Sequence, residues 1–147
     1  MVMLLAVAGL GIDIGRMYLI KSELQAYADA AALSAAMRLD GSDPGLSSAR
    51  QAPAELASGP HAMRWNMGTQ PITEVLLTFA KGDAAPDSNS WQSEPKSANG
   101  YRFARVTVTA HAPVIFLRAF EPFKDDASLV AAVSVAVRTQ QAARLYQ

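Results

Sequence analysis

The first forty residues favour one uninterrupted helix, and they constrain the fold more than any other stretch of the chain. No proline occurs before Pro44, and every residue up to Ile12 is uncharged. At about 1.5 Å per residue, a helix of this length would be about 60 Å long, several times the usual length in a globular domain. A chain of 147 residues cannot bury such a rod by itself. We therefore predict a helix that begins in a membrane or among copies of itself and ends beneath a small head.

The apolar run at the amino end leaves three alternatives for its surroundings. Residues 1–12 are too few for a membrane span of about 20 residues, and counting on to Ile20 includes Asp13 and Arg16. The run lacks the basic region and the small-residue cleavage site of a secretory signal. Either it lies partly in the bilayer, or further residues precede Met1, or it packs against copies of itself in a protein core.

Asp13 and Arg16 lie three residues apart and therefore share one face of the predicted helix. One interpretation is a local ion pair that reduces the cost of charge near an apolar environment. The other is a buried carboxylate that needs a partner on a neighbouring helix and thereby fixes register. Gly11 and Gly15 form a small-xxx-small pair that would allow a second helix to approach closely.

From Lys21 onwards the helix is amphipathic and rich in alanine. The turn-forming residues 40–45 are predicted to end it, with Gly41 just after the last turn and Pro44 beyond it. Glycine, proline, serine and alanine dominate the chain up to Pro60, and a short helical piece is predicted around residues 47–56.

Three short motifs lie at fixed distances from one another in the predicted helix: Gly-Leu-Gly-Ile-Asp-Ile-Gly-Arg-Met-Tyr at 9–18, Leu-Gln at 24–25 and Ala-Asp-Ala-Ala-Ala-Leu at 28–33. This pattern resembles the amino-terminal segment of the Tad/Flp pilus-assembly proteins of the TadE/TadG-like group. The chain differs from that family in Tyr27, which replaces a small residue, and in lacking a basic lead-in before the apolar run. The resemblance implies a membrane-anchored, pilin-like protein that faces the cell exterior.

The resemblance and the character of this helix together predict an assembly interface, whose partners are other pilin-like subunits, copies of the chain, or the membrane. Its predicted residues are Gly11, Asp13, Gly15, Arg16, Tyr18, Leu24 and Asp29. The predicted location is the inner (cytoplasmic) membrane with the head outside the cytoplasm, or an extracellular filament.

The predicted function is that of a pilin-like component of a Tad/Flp-type, type IV-like pilus or secretion apparatus. The alternative is the main repeating structural subunit of an extracellular filament. A third, weaker hypothesis is a membrane-tethered module that binds a ligand through the polar loop 81–100.

Residues 41–147 are predicted to form a β-rich head domain, separate from a helical domain 1–40. Alternating apolar and polar residues predict strands at 72–80, 101–110 and 128–138. The alternation slips near Ala104 and Arg105, which indicates a bulge or a change of face. Residues 113–123 favour a short helix or a packed loop. The predicted fold class is α+β, with a small antiparallel sheet packed on the carboxy-terminal half of the long helix.

Composition excludes several kinds of chemistry. The absence of cysteine excludes disulfides, zinc–thiolate sites and cysteine catalysis, and equal numbers of basic and acidic side chains, 13 each, argue against nucleic acid as a partner. His61 and His111 lack the spacing of metal ligands. Asp83, Asp87 and Asn89 could supply oxygen ligands to calcium, but a solvated loop is the better interpretation. We predict no enzymatic activity, no metal and no cofactor.

Overall fold

The computed structural model describes residues 2–82, 86–113, 115–116 and 129–138. Within these residues two helices precede five strands: α1 (Val2–Arg38), α2 (Asp43–Leu56), β1 (Arg64–Trp65), β2 (Gln70–Pro71), β3 (Glu74–Lys81), β4 (Tyr101–His111) and β5 (Leu129–Val137). Strands β1 and β2 form a two-stranded ribbon, and β3, β4 and β5 form an antiparallel sheet in that order. The predicted α+β architecture is confirmed, because the small sheet packs through β4 and β5 against the long amino-terminal helix.

Helix α1 buries one stripe of side chains along its carboxy-terminal half. The stripe recurs every three or four residues, as expected for a helix with one covered face. Its fully or almost fully buried members are Ile20, Leu24, Tyr27, Ala28, Ala31, Ala32, Ala35 and Ala36. The alanines are small enough for the sheet to approach the helix backbone closely, so the alanine-rich sequence suits the surface of a sheet.

The residues between the two helices both end α1 and begin α2. Gly41 adopts a φ of 87°, the left-handed conformation predicted for a residue after a helix end. Ser42 then caps α2, since its hydroxyl accepts a hydrogen bond from the backbone N–H of Gly45 at 3.1 Å. Pro44, predicted to lie beyond the end of α1, lies in the first turn of α2, where a missing N–H costs nothing. Helix α2 is consequently longer than the predicted piece at residues 47–56.

The sheet contains a bulge, but two residues earlier than the sequence pattern predicted. Ala80 pairs with Phe103 and the next residue of β3 pairs with Tyr101, so Arg102 is the extra residue. The bulge alternative near Ala104 is wrong, because β4 pairs in regular register from Phe103 onwards. The other alternative, a change of face, agrees with the structure, since Phe103 lies on one face of the strand and the buried Ala104 and Val106 on the other. Ala104 faces the alanine-rich helix and is itself small. The alternation of large apolar and polar residues is therefore interrupted at this position, although the backbone there is regular.

The core has two adjoining parts. One lies between α1 and the inner face of the sheet, around Leu24, Val106 and Val108. The other lies at the carboxyl end of α1, where α2 and Phe79 complete it. Tyr27 connects α1 to α2, because its buried hydroxyl donates to the carbonyl oxygen of Pro53 at 2.8 Å.

Two further findings concern the predictions for the remaining segments. Within the described part of the chain, neither helix has both the length and the apolar character needed to cross a membrane. Of the segment predicted as a short helix or packed loop at 113–123, only residues 113, 115 and 116 are described, and the rest lies outside the described residues.

Candidate assembly surface

The seven residues predicted for the assembly interface all lie on α1, and the structure divides them between two sides of the helix. Gly11, Gly15, Tyr18 and Asp29 are exposed, with Tyr18 77% accessible. Leu24 and Asp13 are fully buried against other parts of the same chain, and Arg16 is partly buried. The helix therefore presents only some of these side chains to a partner.

Asp13 positions the irregular segment that follows β4. Its two carboxylate oxygens accept hydrogen bonds from the backbone N–H groups of Ile115, at 3.1 Å, and Phe116, at 2.7 Å. A backbone N–H outside regular structure needs an acceptor when water is excluded, and a carboxylate can serve two such groups at once. Asp13 thus has partners on its own chain, 102 and 103 residues away.

Gly9 permits the same segment to approach the helix. A Cβ atom built on Gly9 would lie 2.4 Å from Cδ1 of Phe116, closer than any real contact. By contrast, a Cβ atom on Gly11 or Gly15 would meet nothing within 4 Å in the described structure. The predicted small-xxx-small surface is therefore open, whereas the neighbouring glycine is used inside the chain.

Arg16 bonds to the chain that precedes β2 and does not pair with Asp13. Its Nη2 and Nε atoms donate to the side-chain oxygen of Asn66 at 3.0 and 3.3 Å. Among the described residues, the ion pair found within 4.0 Å is that of Arg38 with Glu55. The interpretation of Asp13 and Arg16 as a local ion pair is therefore wrong, because each side chain fixes a different irregular segment to α1.

The segment held by Arg16 is an unusual turn. Asn66, Met67 and Gly68 have consecutive φ values of 55°, 57° and 76°, and a methionine in this left-handed region is strained. Glu23 stabilises it, since its carboxylate accepts the N–H of Met67 at 3.0 Å. This contact was not predicted from the sequence, where the local signal is that Asn66 and Gly68 are residue types favoured in turns.

A groove runs along the exposed side of α1, next to the edge strand β5. Its volume is about 360 Å³, and its lining is chiefly apolar: Ile14, Met17, Tyr18, Lys21, Val130 and Ala131. A second, more polar depression continues along the same side of the helix past Tyr18 and Gln25 to Asp29. Gln25 also donates to the carbonyl oxygen of Val133 at 3.3 Å, which fixes β5 beside the groove.

The amino-terminal part of α1 exposes large apolar side chains instead of burying them. Leu4 is 76% accessible, and the other members of the set are also open: Val7, Leu10, Ile12 and Ile14. Water does not stabilise such a surface, and contiguous exposed apolar surface commonly marks a site of protein or membrane interaction.

The charged contacts with altered titration lie at the other end of α1. The hydrogen bond from Arg38 lowers the pKa of the Glu55 carboxyl, and a hydrogen bond from Ser42 lowers the pKa of Asp40. Both acids are exposed, so their effect is local stabilisation of the junction between α1 and α2.

Side chains that could hold a metal ion do not cluster in the described part of the chain. No three side chains among its histidines, aspartates and glutamates lie together in a way that could hold a metal ion. His61 and His111 are exposed and distant in sequence, and Asp87 and Asn89 are exposed in the polar loop. Asp83 lies outside the described residues.

Residues 1–38 match the family model described as putative Flp pilus-assembly TadE/G-like. The resemblance carried by the pattern at residues 9–18 and 28–33 is thereby confirmed, and the matched segment ends with α1. Searches of characterised proteins and of solved structures returned no match. The match supports a role in Flp pilus assembly, which implies association with a membrane or the cell surface.

Proposed function

Because residues 1–38 carry a TadE/G-like segment, we propose that this chain is a pilin-like component of a Tad/Flp-type pilus or secretion apparatus. It is anchored or assembled through α1. The observation that carries the proposal is that the matched segment coincides with α1, whose amino-terminal part exposes large apolar side chains. The role is structural, with no chemical step.

The exposed side of α1 suits two successive environments. From Leu4 to Ile14 its accessible side chains are apolar, which suits lipid or the apolar interior of a helix bundle. From Tyr18 to Asp29 the side facing the groove carries an aromatic ring and polar groups, which suits a neighbouring subunit. Gly11 and Gly15 lie where these regions meet, and the open space above them would admit a second helix backbone.

The alternative function, the main repeating subunit of a filament, would use the same helix surface. Electron microscopy of the sheared cell-surface fraction, with quantification of the chain by mass spectrometry, separates the two. A trace amount beside another pilin, or retention in the membrane, supports an assembly component. Dominance in a regular filament supports the repeating subunit, and absence from both fractions contradicts the proposal.

The interface itself can be tested with single cysteines, because the chain has none of its own. Tyr18→Cys places a thiol on the groove side of α1, where the natural side chain is 77% accessible. Leu76→Cys places one on the outer face of the sheet, where the natural side chain is 54% accessible. We expect cross-linking in cells to join Tyr18→Cys to another pilus component and to leave Leu76→Cys unlinked. Equal cross-linking at both positions would contradict an interface on α1.

A further inference from the structure

We infer that Ile115 and Phe116 form a second membrane-contacting element, which lies on the lipid surface beside α1 and limits how deeply the helix enters. This inference rests on the proposed anchoring through α1. It concerns side chains in the head, outside the segment that matches the pilus-assembly family.

The placement of the two residues is fixed by contacts with α1. The Asp13 carboxylate holds both backbone N–H groups, and the ring of Phe116 lies against Gly9, one turn nearer the amino end. Despite these contacts Ile115 remains 59% accessible and Phe116 41% accessible. The head therefore exposes two large apolar side chains beside the amino-terminal part of α1, whose accessible side chains are also apolar.

The distribution of apolar side chains around α1 favours lipid over a single protein partner. Successive helix residues are rotated by about 100°, so Leu10 and Ile12 point in nearly opposite directions. Both are exposed, as are Leu4 and Val7 between them around the helix. One docked helix would cover a single stripe, whereas lipid covers every accessible side. The remaining side is the one that Phe116 occupies at Gly9.

The charges near this surface suit anionic headgroups. No charged residue occurs from Val2 to Ile12, and the first basic residues along α1 are Arg16 and Lys21. The exposed Tyr18 ring lies between them, as aromatic residues do at membrane interfaces. Among the described residues of α1 up to Lys21, the acidic group is Asp13, which is fully buried and accepts hydrogen bonds from backbone N–H groups. Basic side chains beside an apolar surface favour anionic lipid.

Depth-sensitive labelling of the full chain tests the inference. Leu4→Cys, Ile115→Cys and Leu76→Cys each provide one thiol for the fluorophore nitrobenzoxadiazole, because natural cysteines are absent. The labelled proteins are mixed with vesicles of phosphatidylethanolamine and phosphatidylglycerol, with and without nitroxide-labelled lipid. We expect lipid quenching at positions 4 and 115 and none at position 76, on the outer face of the sheet.

A partition measurement with matched variants supplies a second test. The double variant Ile115→Ser/Phe116→Ser is expected to lower partition into the same vesicles about tenfold or more, as follows from withdrawing two large apolar side chains from lipid contact. The control, Leu76→Ser/Val133→Ser, removes similarly exposed side chains from the outer sheet face and is expected to leave partition unchanged. Circular dichroism verifies that both variants are folded.

The outcomes separate this inference from the proposed function. Quenching at position 4 with position 115 in water overturns the inference and leaves anchoring through α1 intact. Absence of quenching at both positions overturns the anchoring and the inference together. A fluorescence change at position 115 that depends on protein concentration and needs no vesicles would assign this surface to another copy of the chain, and it too overturns the inference.

Discussion

Replacing Asp13 with alanine should release the segment at Ile115 and Phe116 from α1. The change removes a fully buried carboxylate that accepts two partly buried backbone N–H hydrogen bonds, at 3.1 and 2.7 Å. A hydrogen bond to a charged group contributes about 1.5–3 kcal/mol, so the pair contributes about 3–6 kcal/mol while the segment stays in place. If the segment detaches from α1, water can accept hydrogen bonds from the two N–H groups. The loss of global stability is then limited to about 1–3 kcal/mol.

Amide hydrogen exchange measured by NMR on the full chain reports this release directly. Since about 1.4 kcal/mol corresponds to a factor of ten, protection of the Ile115 and Phe116 amides should fall at least about a hundredfold in Asp13→Ala. Asp13→Asn should give a smaller loss, because the amide keeps one acceptor oxygen. Asp29→Ala, which removes an exposed carboxylate from the same helix, is the control and should leave both amides unchanged. Unaltered protection in Asp13→Ala would refute the positioning role.

Three further changes test the packing and the electrostatics. Tyr27→Phe should lower the free energy of unfolding by about 1 kcal/mol through loss of one buried hydrogen bond. Tyr27→Ala should lower it by about 3–5 kcal/mol, because the buried ring is lost as well. Equal losses for the two variants in urea denaturation would contradict this. Gly9→Ala should lower the free energy of unfolding by about 1–3 kcal/mol, because its Cβ atom would collide with Phe116. Gly11→Ala should leave it unchanged or raise it by up to about 1 kcal/mol. A higher unfolding temperature for Gly9→Ala than for Gly11→Ala would refute the assigned contacts. The pKa of Glu55 is lowered in the folded chain from its ordinary value of 4.5, so its stabilising effect is complete above that value and is lost as the pH falls through the lower folded pKa. Stability should therefore decline less steeply below about pH 4.5 in Glu55→Gln, and parallel curves for the two proteins would contradict the ion pair.

The long helix and strands β3, β4 and β5 could be predicted because their signals are local. The two-residue strands β1 and β2 were not predicted, because they are too short to show an alternation. Helical spacing in α1 and alternation in β4 are each contained within a few turns or one strand, and both elements were found where expected. The bulge was misplaced because Ala104, a small inward-facing residue, does not resemble a core position in sequence.

The contacts of the candidate site could not be predicted in the same way. The partners of Asp13 lie more than a hundred residues away, in a segment without periodicity, and nothing near the aspartate in sequence identifies them. A spacing of three residues therefore suggested Arg16, although the fold directs that side chain to Asn66. The pattern selected positions on α1 but could not distinguish those with internal contacts from those whose surface is accessible.

The order of the elements along the chain has a consequence for synthesis. The alanine-rich face of α1 is made first, but β5, which covers part of it, is the last strand described, and Gln25 and Val133 are separated by 108 residues. At about 5–20 residues per second, roughly 5–20 s pass between their synthesis. Contacts between residues so far apart in sequence also close slowly. A newly made chain therefore exposes the alanine-rich face of α1 for seconds before β5 can cover it.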